Sequence, residues 1–125
     1  MKPFYLVATL ILSASGAAYA ADKHGHDHKP LHGGVVAEVK DIDYELVAKP
    51  DVLQLHARDH GKALDVSGAT AKLTLLSGKD RQDVELKPAG DRLEAKGSFK
   101  VAAGAKVVVQ GTIGGKAFTA RFVLK

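Results

Sequence analysis

The chain has no cysteine and no tryptophan, one methionine and four prolines among its 125 residues. Without cysteine it has no disulfide framework, no thiol chemistry and no cysteine-type zinc site. Any metal it holds must sit on imidazole, carboxylate or backbone, a donor set that suits Zn, Cu(II), Ni or Co better than Cu(I). Charge of one sign is nowhere concentrated: 18 basic and 14 acidic residues, formal net charge +4, are scattered along the chain. That leaves no block for nucleic acid and no basic amphipathic helix for a membrane surface. Helical periodicity is missing too, since no window of about 11–18 residues carries an apolar stripe. Beyond the first twenty residues the serines are Ser67, Ser77 and Ser98, each in a turn-like setting, with no nucleophile elbow. A chain of this size hardly accommodates a deep substrate pocket. The expectation is that it is not an enzyme.

One long apolar run exists, Phe4 to Leu12, and it is too short for a spanning helix of about 20 residues. A positive start at Lys2 precedes it, and the small residues after it end in Ala18-Tyr19-Ala20. That is the layout of a cleaved secretory signal peptide over residues 1–20, with no membrane insertion after cleavage. A cut after Ala21 instead would leave Asp22-Lys23-His24, whose free amine and third-position histidine favour square-planar Cu(II) or Ni(II).

Histidine is unevenly placed. Of six, His24, His26, His28 and His32 fall close together, His56 and His60 follow, and none comes later. Imidazole is the commonest metal-binding side chain, and short His-rich tracts are a compositional metal signal. Residues 21–31 are polar without apolar periodicity and read as a flexible His-rich tail. Such a tail binds Zn or Cu(II) weakly, because ordering it costs entropy.

Residues 32–125 read as one β domain. Short strands are predicted at Val35–Val39, Asp43–Lys49, Val52–Arg58, Ala69–Leu76, Asp83–Lys87, Arg92–Lys96, Lys106–Ile113 and Lys116–Leu124. Turn residues punctuate them every ~8–12 residues. The expected fold is all-β: an immunoglobulin-like β-sandwich of seven to eight strands, with a small β-barrel as the alternative. Gly114-Gly115 suits a two-residue hairpin loop. It sets Ile113 opposite Lys116 and Val107 opposite Phe122, so that Val107, Val109, Phe118, Ala120, Phe122 and Leu124 share the core face.

Pro50-Asp51 is the other informative turn. A two-residue loop there puts Leu46 opposite Leu55 and Tyr44 opposite Ala57 on the core side. On the other side, expected to be an open face, Glu45 meets His56 and Asp43 meets Arg58. Cross-strand partners have Cβ atoms about 4.5–5.5 Å apart, so a carboxylate and an imidazole there can share a metal ion. A one-residue slip would move them to opposite faces. His32, just before the first strand, completes a mixed N/O candidate site with Glu45 and His56, the fourth ligand coming from Asp43 or from Asp59/His60.

The series His32-Gly33-Gly34, Tyr44-Glu45-Leu46-Val47, Leu53-Gln54-Leu55, Asp59-His60-Gly61-Lys62 and Gly115-Lys116-Ala117-Phe118-Thr119-Ala120-Arg121-Phe122 resembles a small periplasmic domain. That domain occurs ahead of, or apart from, the adaptor (membrane fusion) subunits of heavy-metal efflux systems of the resistance-nodulation-division type. The resemblance spans Leu31 to Lys125 and implies a free-standing β-sandwich that buffers or delivers Zn, Cu, Co or Ni in the periplasm, with such an adaptor as partner. It maps ligands onto His32 and Glu45. Where relatives often carry histidine two residues before that glutamate, this chain has Asp43, a harder donor. The contrasting reading is a protein-interaction module with an incidental His-rich tail, which predicts that metal leaves folding unaffected.

Overall fold

The computed structural model describes residues 29–125; the expected signal peptide and the histidines at 24, 26 and 28 lie outside the described residues. Those described form no helix and nine strands: β1 (Val35–Val39), β2 (Ile42–Lys49), β3 (Val52–Asp59), β4 (Lys62–Ala63), β5 (Thr70–Ser77), β6 (Asp80–Ala89), β7 (Arg92–Lys96), β8 (Lys106–Ile113) and β9 (Lys116–Val123). All pairings are antiparallel, in the order β1-β2-β3-β7-β6-β5-β8-β9, with β4 on the flank of β3.

The chain is all-β as expected, and its architecture follows the barrel alternative. Strand β6 explains why. Its residues Asp80–Leu86 pair with β5, while Lys87–Ala89 pair with β7. One strand therefore joins the two halves that a sandwich would keep apart, and the sheet curls until β1 lies beside β9. No ladder joins those two strands among the described residues, so the barrel is nearly but not fully closed. The strand runs past both ends of the expected Asp83–Lys87, and its outer residues, exposed Asp80 and Arg81 with Gln82 at one end and Pro88 with Ala89 at the other, include none that is fully buried, so apolar alternation does not mark them. The two-residue β4 is too short for any periodicity to reveal.

The core comes from alternate residues of the strands, as the pleat requires. The β8–β9 hairpin has the expected register, with Val107 opposite Phe122 and Val109 opposite Ala120; all four are buried. Its turn works because Gly114 and Gly115 take φ of 60° and 80°, a region glycine enters without steric penalty. Leu46, Leu53, Leu55, Leu73 and Leu93 fill the centre.

Candidate metal centre

The β2–β3 hairpin has the register the two-residue turn predicts: Lys49 pairs with Val52, Glu45 with His56 and Asp43 with Arg58. Proline suits this turn because the loop contributes carbonyls. Pro50 accepts from the Phe99 N–H at 2.8 Å and Asp51 from the Gly97 N–H at 3.1 Å. One face of the hairpin joins the core through Tyr44, Leu46, Leu53, Leu55 and Ala57. The other face is not open, contrary to expectation. Asp43, Glu45, His56 and Arg58 on it are all buried, Glu45 completely.

Residues 29–34 fold over this face, and Glu45 holds them there. Its Oε1 accepts from the Leu31 N–H at 2.9 Å and from Arg58 Nη1 at 2.8 Å. Its Oε2 accepts from the His32 N–H at 2.8 Å and the Gly34 N–H at 2.9 Å. Arg58 Nη2 also donates to the Lys29 carbonyl at 3.2 Å, so the ordered cover begins inside the stretch assigned to the tail. Burial by itself would raise the Glu45 pKa. Arg58 and the three amides outweigh it and hold the carboxyl at about 2. A carboxylate has about four acceptor sites, and here all four are taken. In this arrangement Glu45 positions the cover, and no lone pair is left over for the ligand role first expected of it.

The two glycines of His32-Gly33-Gly34 do different work. Gly33 has φ of 79°. Gly34 lies so close to β2 that an added Cβ would collide with the Leu46 carbonyl oxygen and press on Val47. Gly34→Ala is therefore expected to lift the cover and lower stability by about 1–3 kcal/mol, as overpacking does. Denaturant unfolding measures the loss.

Within the cover, exposed His32 lays its ring on His56, with centroids 3.8 Å apart and planes 14° from parallel. His56 is only 7% exposed, yet its Nε2 has no hydrogen-bond partner, alone among buried side-chain polar atoms of the described residues. An orphaned buried polar atom costs about 1–3 kcal/mol and calls for a reason. Burial, then the neighbouring His32, push the His56 pKa below the usual imidazole range, against the opposite pull of Glu45 and Asp91. The ring is thus kept neutral, the form that binds metal.

No family model, curated protein or solved structure matches this chain.

The remaining candidates are spread out. Asp43 is buried on the same face, two residues from Glu45 and opposite Arg58. His60 sits in the β3–β4 turn, exposed, with Nδ1 2.6 Å from Asp59 Oδ1. It is four residues along an extended strand from His56, about 13 Å at 3.3 Å per residue. Among the described residues no group of three or more His, Cys, Asp or Glu is placed to hold an ion. Arg58 is the important residue that sequence reasoning placed without giving it a role. An arginine two positions from the cross-strand partner of Glu45, on the same face, was the available signal.

Proposed function

We propose that the protein binds a divalent transition metal ion as cargo, Zn or Cu(II) foremost and Co or Ni as alternatives, with His56 as the buried ligand and His32 as its partner. The observation that carries this reading is the unpartnered Nε2 of a neutral, buried His56 beneath a second imidazole. In the Nδ1–H tautomer that atom has a free lone pair. Stacked rings direct their lone pairs side by side, so His32 must turn for both to reach one ion. Further donors come from the sequence just upstream, where His28 is four residues before His32 and His26 and His24 precede it. Arg58, by gripping the Lys29 carbonyl, fixes where that segment meets the fold.

In this reading the upstream histidines capture the ion and the His32/His56 pair receives it. The signal-like first twenty residues and the resemblance over Leu31 to Lys125 support a periplasmic setting and a role as buffer or metallochaperone for heavy-metal efflux. The natural recipient is then an efflux adaptor.

The test is calorimetric titration of the processed protein with Zn(II) and Cu(II), beside two variants. His56→Phe keeps a ring under His32 and removes both nitrogens; its affinity is expected to fall at least about tenfold, 1.4 kcal/mol. His24/His26/His28→Ala is expected to keep a site, weakened. If His56→Phe binds like wild type, the folded site is wrong and the upstream histidines alone bind metal. Metal at a hundredfold excess over Kd should also add about 2.7 kcal/mol of stability, a rise of about 10 °C in melting temperature for a domain of this size.

A further inference from the structure

The β6–β7 turn brings a carboxylate toward the histidine pair from the β7 side. Gly90 and Asp91 form that turn, closed by the pairing of Ala89 with Arg92. Strand β7 pairs in turn with β3 as far as Leu93 opposite Leu55. One step beyond, the same register sets Arg92 opposite His56, on strands about 4.8 Å apart. His56 therefore stands in its row between Glu45 of β2 and Arg92 of β7.

Arg92 shows which way Asp91 turns. Leu93 is a core residue, so its neighbours Arg92 and Glu94 share the outer face with His56. Arg92 Nε donates to Glu94 Oε1 at 3.1 Å, and its Nη1 lies 3.5 Å from Asp91 Oδ1. The Asp91 carboxylate is thus on the His56 side of the sheet. Its charge reaches the ring: burial and then His32 lower the His56 pKa, while Glu45 and then Asp91 pull it upward.

Two carboxylates share this one guanidinium unequally. Glu94 is the closer, its side chain is 11% exposed, and it also accepts from Gln54 Nε2 at 2.9 Å. The Asp91 side chain is 69% exposed, and so long and open an ion pair contributes little. Asp91 can leave Arg92 without stranding a charge, because Glu94 stays.

We propose that Asp91 is the third protein ligand of the ion held by His56 and His32, making the folded site a two-nitrogen, one-oxygen centre for Zn(II) or Co(II). The proposal rests on the metal reading above. That reading leaves two neutral imidazoles and no anionic donor, since the acceptor sites of Glu45 are all taken. The unpartnered Nε2 of His56, 7% exposed, is the buried donor on the same face. In the metal-free fold the three groups do not yet converge. His32 turning out of its stack and Asp91 swinging off Arg92 are the movements that assemble them. Three protein ligands with a fourth position open is an established zinc arrangement, and its hard oxygen disfavours Cu(I).

The absence of cysteine from the chain supplies the test. In the processed protein carrying His24/His26/His28→Ala, Asp91→Cys is titrated with Co(II) under reducing conditions. An intense near-ultraviolet thiolate-to-cobalt band is expected, and it can arise only from position 91. Lys96→Cys is the control, exposed on the same strand and about 13 Å further along it, and should give no such band. Asp91→Asn should melt like wild type without metal and bind Zn(II) at least fivefold more weakly. The proposal is overturned if Asp91→Cys gives no more band than Lys96→Cys, or if Asp91→Asn binds Zn(II) like wild type. When either result accompanies weakened binding in His56→Phe, the histidine site stands and only the role of Asp91 falls. If His56→Phe itself binds like wild type, the metal reading falls and this proposal with it.

Discussion

Glu45→Ala is expected to destabilise the protein by about 3–5 kcal/mol, the usual consequence of breaking a buried ion pair from one side. The change strands Arg58, which is 5% exposed, and leaves the N–H groups of Leu31, His32 and Gly34 without their acceptor. A domain of this kind has only about 5–15 kcal/mol in all. At about 4 °C per kcal/mol, the melting temperature should fall by about 12 °C or more. Thermal or urea unfolding of the metal-free protein checks this. The outcome also separates two roles for Glu45. A glutamate held in reserve for metal would leave the metal-free protein near wild-type stability and affect metal binding alone. A glutamate that clamps the cover lowers metal-free stability first, and metal affinity through the displaced His32.

Acid should remove the same contribution without mutation. The Glu45 carboxyl ordinarily titrates near 4.5 and in the fold is held at about 2. Between those values the unfolded chain binds a proton that the folded chain does not. Stability therefore rises with pH across this window and is lost as pH falls from about 4.5 toward 2. The displacement corresponds to about 3 kcal/mol, fully present above pH 4.5. Urea unfolding at a series of pH values should show a slope in this interval for wild type. In Glu45→Gln, which carries no titrating group there, the slope should be shallower and the stability at neutral pH lower. An equal slope in both proteins would mean that other carboxyls dominate acid unfolding.

What was legible in the sequence was what local periodicity and turn chemistry decide. The Gly114-Gly115 and Pro50-Asp51 turns fixed two registers residue by residue, and with them the facing of Glu45 to His56. Strand β6 was only half legible, because its ends serve two partners and hold no fully buried residue for alternation to register. The burial of the Glu45 face was not legible at all. It depends on residues 29–34 crossing a neighbouring hairpin, and on three amide groups converging on one carboxylate. Neither follows from spacing along the chain. The His-Gly-Gly motif drew attention for its histidine, while Gly34 contributes equally by letting the cover approach Leu46. The pairing of His32 with His56 was anticipated as shared ligation; the structure brings them together as stacked rings, with one nitrogen left over.

The most direct test of the central claim is the nitrogen NMR spectrum of the His56 imidazole before and after adding equimolar Zn(II) at neutral pH. The His24/His26/His28→Ala variant serves, so that the signal reports on the folded site. The account predicts an unprotonated Nε2 in the metal-free protein that moves to a metal-bound shift on addition, with the His32 ring leaving its stacked position. If the protein binds Zn(II) while both His56 nitrogens stay where they were, His56 is not the ligand and the account of the folded site is contradicted.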